Sequence, residues 1–563
     1  MKSVHIRMTA LLLLITTVYL SLASMTMLWD RDEPRFGRAA VEMMHTGDYL
    51  VPRFDGQLRP DKPPLVYWLM VPWIKWQGAT DLAVRIPSIL ASLVVALATF
   101  HMGRNLGGEV VGLRAAGLGA LLPMPLLIGT AATADATMMA GVSLSMAVLV
   151  DRALHGSRPA HLPLLIFSLS WALLAKGPIG LVLFLLASVS ASFAGKDLLD
   201  LGRKWWGVVT IACVVSVGIF LAWAIPANDA TGGELARIGI GRHLIERSTS
   251  ALESHGGSGL IGWILGLPFY LPVLLLGAAP ISGLLVPIVI MRRSLFGGRG
   301  TGVLLAALVV PTLLLMTLIA TKLPHYILAC FPGLAVTVAL AWSRVEEGKV
   351  EARKLAEAPG RIGRWLGATM LGLLAIAFAV VMVSYKGSMG TLITVVAAML
   401  LTMVLTLRLK PGARFGNWQG PGFLSACTAV CMVLMLHGLG GLQHRMQVAP
   451  KVAELIEQSV ASDAPLIVLG YDEPSLVFTL DRDPLPGEKT VPSLHEQFPG
   501  GVSQWIETAG PYWLLATAEE LSKSAVDLRA EGCRLVWSTD PEGIVNYSNG
   551  ETISLELWFL AES

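Results

Sequence analysis

The chain has 563 residues, of which 54% are hydrophobic and only 15% charged, with a net charge of +2. Soluble domains carry about 25% charged residues, so an ordinary water-soluble globular protein is excluded; the net charge says little as a total, and no nucleic-acid partner is expected. Four of the five cysteines, Cys213, Cys330, Cys427 and Cys431, lie in apolar segments and Cys533 lies in the polar tail, which excludes an intradomain disulfide framework and a CxxC metal site.

Apolar runs recur at 8–28, 84–103, 110–128, 135–151, 161–175, 178–194, 206–226, 260–290, 302–320, 325–342, 364–384, 391–408 and 421–441. A run of about 20 residues crosses a hydrocarbon core of about 30 Å, so these predict about 13 spans. The 260–290 run contains Pro268, Pro272, Pro280 and Pro287 and predicts a kinked helix, or an interfacial helix followed by a span.

Basic residues concentrate on the cytoplasmic side of membrane proteins. With Lys2 and Arg7 inside, alternate loops hold Arg104 and Arg114, Arg152 and Arg158, Lys196 with Arg203 and Lys204, Arg292 with Arg293 and Arg299, the segment from Arg344 to Arg364, and Arg408 with Lys410 and Arg414. The phase never slips, and an odd number of spans places residues after Gly441 outside. A cleaved signal peptide ending at SLAS is the rival reading of the first run, but the run is long for a signal core and an uncleaved span keeps the phase. The expected organisation is a membrane domain over 1–442, with outer loops at 29–83 and 227–259, and a soluble outer domain over 443–563.

The outer loop at 29–83 breaks the charge rule, because it holds Arg31, Arg35, Arg38, Arg53, Arg59, Lys62 and Lys75. Basic charge on that side predicts an anionic ligand, with phosphate the first candidate. A helix is predicted from Pro34 through Thr46 with a stop at Gly47, which sets Asp32 and Glu33 at its start, where carboxylates favour the helix dipole and can cap. In DKPPL two prolines stiffen the segment that presents Lys62, although a lysine beside an apolar run can also snorkel. Asp135 opens an apolar run, either as a helix cap or as an intramembrane functional acid, and Lys176 is either an interfacial anchor or a phosphate ligand.

The tail alternates helix and strand patterns. Residues 448–461 predict a helix, 465–471 a buried strand, 512–517 a second strand, 521–532 a helix with a glycine stop, and 533–539 a third strand. GIVNYSNGETISLELWFL predicts a hairpin around Asn-Gly. The result is a small α/β domain with no catalytic motif of its own, read as a structural or docking module.

The stretch DEPRFGRAAVEMMHTGDYLVPRFDGQLRPDKPPLVYW resembles the first outer loop of the GT-C glycosyltransferases that use polyprenyl-phosphate sugars, namely the bacterial aminoarabinose lipid A transferases and the dolichyl-phosphate-mannose protein mannosyltransferases. TADATMM at 133–139, LAKGPIG at 174–180 and KLPHYILACFPGLA at 322–335 resemble further motifs of that family in chain order, and GRHLIERSTSALESHGGSG at 241–259 resembles the loop over its active site. The resemblance implies a mainly α, polytopic GT-C fold with a C-terminal extracytoplasmic α/β domain. It implies a bacterial inner-membrane enzyme facing the periplasm that moves a sugar, with inversion, from undecaprenyl or another polyprenyl phosphate to lipid A or a related envelope glycolipid. A protein O-mannosyltransferase acting on Ser and Thr is the alternative; a lipid or polysaccharide transporter is a remote one, since the charges gather on one face and no repeat is present.

The resemblance also assigns roles. Asp32, Glu33 and Asp135 form the catalytic acid set, with Asp32 on the acceptor side. Arg35, Lys62, Lys176 and Tyr326 face the leaving phosphate. Asp61 with His255 or His243 would hold a divalent cation. Phe36 stands where many relatives have Tyr, and His325 before Tyr326 has no role beyond a polar group at a helix end.

Overall fold

A computed structural model describes residues 2–194, 201–240, 259–296, 299–348, 358–408, 420–480, 489–507, 511–524, 526–539, 544–546 and 551–561. His243 and His255, with most of the loop expected over the site, lie outside the described residues. The chain divides into two compact units, one of residues 1–25, 60–66 and 85–438, the other of residues 26–59, 67–84 and 439–563. The segment 29–83 is thus shared between them, and most of it packs with the C-terminal residues.

Every predicted apolar run falls on helix. Among the described residues eight helices are long and apolar enough to cross a membrane, and two bent pairs raise this to ten. A multi-pass membrane protein follows. Helices α1 (Lys2–Ser24), α4 (Asp81–Gly107), α7 (Ala134–His155) and α10 (Arg203–Ala230) are single long spans. Helix α5 (Glu109–Leu121) meets α6 (Pro123–Gly129) at 66°, because Pro123 cannot donate the next helical hydrogen bond. The proline-rich run is bent more sharply, with 262–277 and 281–290 meeting at 112°.

Helices α8 (His161–Lys176) and α9 (Ile179–Ser192) have 16 and 14 residues. At 1.5 Å per residue they reach roughly 24 and 21 Å, short of a full hydrocarbon core. The 325–342 run begins as a short 3-10 turn, Pro324–Ile327, and becomes α-helix only at Cys330.

In the second unit α2 covers Asp32–Thr46, and Gly47 ends it with φ 71° and an N–H to Met43 O of 3.1 Å. The positive φ is the reason for glycine there. Strands β1 (Arg53–Phe54) and β2 (Gln57–Leu58) form a small hairpin, and α3 (Leu65–Gln77) follows.

The C-terminal sheet uses β3 (Leu466–Leu469), β4 (Tyr512–Thr517), β5 (Arg534–Ser538) and β8 (Leu555–Leu560) in the order β3-β4-β8-β5, with only β3 and β4 parallel. Alternate residues of each strand face opposite sides. Leu466, Val468, Trp513, Leu515 and Leu557 enter one core and Ile467, Leu469, Leu514, Trp558 and Leu560 the other. Coverage of both faces explains why β3 reads as an unbroken apolar run.

The hairpin is formed by β6 (Ile544–Asn546) and β7 (Glu551–Ile553); its Asn-Gly turn lies outside the described residues, and the run then re-enters the main sheet as β8. The helix expected over 521–532 is corrected: helix covers Ala518–Ser524 and stops. Asp527 explains the break, since its carboxylate accepts the N–H groups of Arg529 (3.1 Å) and Ala530 (3.3 Å) and starts a separate turn.

Candidate active site

In the first unit a cluster of charged side chains stands at the start of α7. Thr133 is extended (φ −131°, ψ 166°), and its hydroxyl accepts the Asp135 N–H at 3.4 Å. Thr133 is therefore the helix cap, and the Asp135 carboxylate, although buried, is left for another partner. That partner is Lys176 at the last turn of α8, whose ammonium donates to Asp135 Oδ1.

Small residues bring the two ends together. A Cβ at Gly141 would lie 2.6 Å from Ser168 O and 2.9 Å from Ala172 N, so the α7 and α8 backbones touch where glycine stands. Trp171 Nε1 donates to Thr137 O at 2.9 Å across the same seam. Gly177, at φ 72° with its N–H on Leu173 O, turns the chain from α8 into α9 through Pro178.

His325 Nε2 lies 3.8 Å from the same Asp135 oxygen. The Lys176 ammonium stands 5.2 Å from the centroid of the Tyr326 ring, and His325 and Tyr326 meet edge to face. Lys62, whose ammonium donates to Asp61 O at 3.1 Å, also acts electrostatically on Asp135. One carboxylate thus pairs with Lys176 beside the His325 ring, and the Lys62 charge also acts on it.

Lys322, in the same motif as Tyr326, has a different task. Its buried ammonium donates to the carbonyls of Met316 (3.2 Å) and Thr317 (2.6 Å) and lies 5.6 Å from the Tyr270 ring centroid. It closes the C-terminal end of the helix Val310–Leu318, whose last carbonyls have no helical partner.

Asp32, Glu33 and Arg35 belong to the second unit. The Asp32 side chain is exposed and makes no hydrogen bond or ion pair among the described residues. Glu33 is buried and accepts the Trp29 N–H at 2.9 Å, fixing the entry to α2. Arg35 acts electrostatically on Asp30, whose own carboxylate accepts the Ser475 N–H at 2.8 Å. Burial pushes the Asp30 carboxyl up to about 6, with Glu473 adding to the rise and Ser475 opposing it.

Much of the loop's basic charge is used internally. Arg31 Nε is 3.4 Å from Glu473 Oε2, and the buried pair Arg38–Glu42 closes at 3.0 Å. Glu42 also accepts the N–H groups of Asp55 (2.7 Å) and Gly56 (3.2 Å) and so holds the β1–β2 turn. Arg59 donates to Tyr67 Oη at 3.1 Å and lies over Phe36, which stacks on Tyr67. A phenyl ring at Phe36 suits that apolar stack. Lys75 sits over Tyr49. Local pairing, rather than ligand binding, accounts for these cations.

The sequence-derived residues Asp135, Lys176, Tyr326 and Lys62 are therefore brought together within one unit, and His325 joins them. Its only signal in the sequence was adjacency to Tyr326. Of the expected cation set only Asp61 is among the described residues, His243 and His255 lying outside them; among the described residues no three His, Cys, Asp or Glu side chains stand in an arrangement that would hold a metal.

The architecture is that of the GT-C class, a helical membrane fold with an α/β domain. The crystal structure of ArnT from Cupriavidus metallidurans bound to undecaprenyl phosphate superposes with a TM-score of 0.74 at 16% identity, covering 99% of both chains. The archaeal oligosaccharyltransferase AglB from Archaeoglobus fulgidus follows at a TM-score of 0.51, covering 99% of this chain and 74% of its own.

The family model described as dolichyl-phosphate-mannose-protein mannosyltransferase matches residues 61–223. The undecaprenyl phosphate-alpha-4-amino-4-deoxy-L-arabinose arabinosyl transferase of Pectobacterium carotovorum subsp. carotovorum is 28% identical over 389 residues, 67% of this chain and 65% of its own. The enzyme of the same name from Aeromonas hydrophila is 29% identical, over 63% of this chain and 62% of its own. The matches thus span somewhat less than two thirds of these relatives. The chain is a GT-C-fold membrane protein similar to the aminoarabinose and protein-mannosyl transferases, as its motifs suggested.

Proposed function

We propose that this protein is an inverting glycosyltransferase that takes a sugar from undecaprenyl or another polyprenyl phosphate and delivers it outside the bacterial inner membrane to lipid A or a related envelope glycolipid. The observation that carries this reading is the buried Asp135 carboxylate paired with Lys176, with His325 and Tyr326 beside the pair and the Lys62 charge acting on it. When the C1–oxygen bond breaks, the lipid phosphate leaves with an added negative charge, and preplaced cations stabilise that charge without reorganising.

In this reading Lys62 and Lys176 meet the phosphate oxygens and the Tyr326 hydroxyl donates to one of them. Asp135 holds the Lys176 ammonium at its station. Asp32 serves the acceptor: it orients a phosphate acceptor, which is already an anion, or takes the proton from a hydroxyl acceptor. Glu33 supports Asp32 by fixing the start of α2.

The match to the mannosyltransferase family model supports a second reading, transfer to Ser or Thr of a protein, in which Asp32 must act as a true base. Mass spectrometry of lipid A, glycoproteins and surface glycans from a deletion strain tests both. Loss of a sugar-bearing lipid A species is expected; loss confined to glycoproteins selects the second reading, and three unchanged profiles overturn the transferase.

A further inference from the structure

The segment Met27–Trp29, which leads into Asp32, has no regular secondary structure, so its backbone groups need other partners. The far end of the chain supplies them. Gln443 accepts the Met27 N–H at 2.7 Å and donates to Met27 O at 3.0 Å, and Gln447 donates to Leu28 O at 2.6 Å. Both glutamines are buried.

The next residues are held in the same way. Asp30 takes the Ser475 N–H, and Arg31 faces the buried Glu473. Beyond Asp32, α2 rests on the helix Pro474–Leu480 so closely that a Cβ at Gly37 would lie 2.7 Å from Phe478 Cε2. Contacts from residues 443–478 therefore bracket Asp32 on both sides while Asp32 itself stays exposed.

We infer that the C-terminal residues Gln443, Gln447, Glu473, Ser475 and Phe478 are positioning residues for the Asp32 carboxylate, so that the outer domain sets the rate of transfer without touching substrate. The inference rests on the reading of Asp32 given above. It differs from a docking role in what it requires: small changes at these positions displace the acid and lower turnover, while donor binding by the other unit stays as it was.

The test uses the purified full chain with undecaprenyl-phosphate 4-amino-4-deoxy-L-arabinose as donor and lipid A as acceptor, comparing wild type, Asp32→Asn, Gln443→Leu, Gly37→Ala and Gly37→Ala/Phe478→Ala. Displacing a reacting group by about 1 Å can cost on the order of 100-fold, so Gln443→Leu and Gly37→Ala are each expected to lose about tenfold or more in kcat with donor KM within about twofold. The double variant, which makes room for the new methyl group, is expected to regain most of the lost kcat.

Wild-type kcat in Gln443→Leu beside an inactive Asp32→Asn overturns the positioning inference and leaves the Asp32 assignment standing. Wild-type turnover by Asp32→Asn overturns that assignment and the inference with it. If Gly37→Ala fails to fold, the double variant decides: recovery of fold and kcat together supports positioning, and recovery of fold alone overturns it.

Discussion

Lys176 and Asp135, 41 residues apart in sequence, form an ion pair between the last turn of α8 and the first turn of α7, with side chains only 14% and 9% exposed. So enclosed a pair gains from mutual attraction but has given up much of its hydration, and loss of one member leaves the other charged and unsolvated.

Lys176→Ala is accordingly expected to destabilise the protein by about 3–5 kcal/mol and to abolish transfer, as read by thermal unfolding in detergent and by donor consumption. Asp135→Asn/Lys176→Met removes both charges and is expected to recover at least half of the lost stability while remaining inactive. Recovery of transfer in the double variant would make the pair a scaffold only.

Asp32→Asn is expected to abolish transfer and to leave the thermal midpoint within about 2 °C of wild type, since a surface change away from buried contacts costs at most about 0.5 kcal/mol. A large loss of stability would mean that the carboxylate is a structural group.

The raised carboxyl of Asp30 makes stability pH-dependent with a definite sign. Its folded pKa of about 6 stands above the ordinary 3.8, so between these values the folded chain keeps a proton that the unfolded chain has released. The stabilising contribution is fully present below pH 3.8 and is lost as pH rises through about 6. Unfolding free energy measured across that window should fall less steeply with pH in Asp30→Asn than in wild type; identical slopes would remove Asp30 as the titrating group.

Lys322→Met keeps most of the unbranched stem but withdraws its donors from the Met316 and Thr317 carbonyls. A loss of about 1–3 kcal/mol is expected for carbonyls left unpaired in a buried place. Donor KM should not change, and a rise of about tenfold would instead put Lys322 on the phosphate.

Local features were legible from residues alone because they depend on neighbours in the chain. Gly47 was the expected stop of α2 because a positive φ suits glycine, and it is one. The prolines of 260–290 announced a break, and 112° is its size. Where local rules competed, the reading slipped. The helical pattern of 521–532 continued past the point where the Asp527 side chain starts a new turn.

The excess of basic residues in 29–83 was a composition signal, and composition cannot say which cations already have partners. Arg31, Arg38, Arg59 and Lys75 spend their charge on Glu473, Glu42, Phe36 and Tyr49. His325 shows the opposite failure: one histidine in KLPHY carries no signal until the fold sets it 3.8 Å from Asp135.

The sequence by itself determined the membrane class, the helical segments, the acid and lysine motifs and the α/β character of the tail, all of which follow from hydropathy, backbone preference and short spacing. The tertiary structure alone decided that Asp135 serves Lys176 and leaves the cap to Thr133, that Lys322 closes a helix end, and that Asp30 meets Ser475 across 445 residues. Those outcomes depend on which distant polar groups are buried together and must satisfy one another, and no local pattern encodes that.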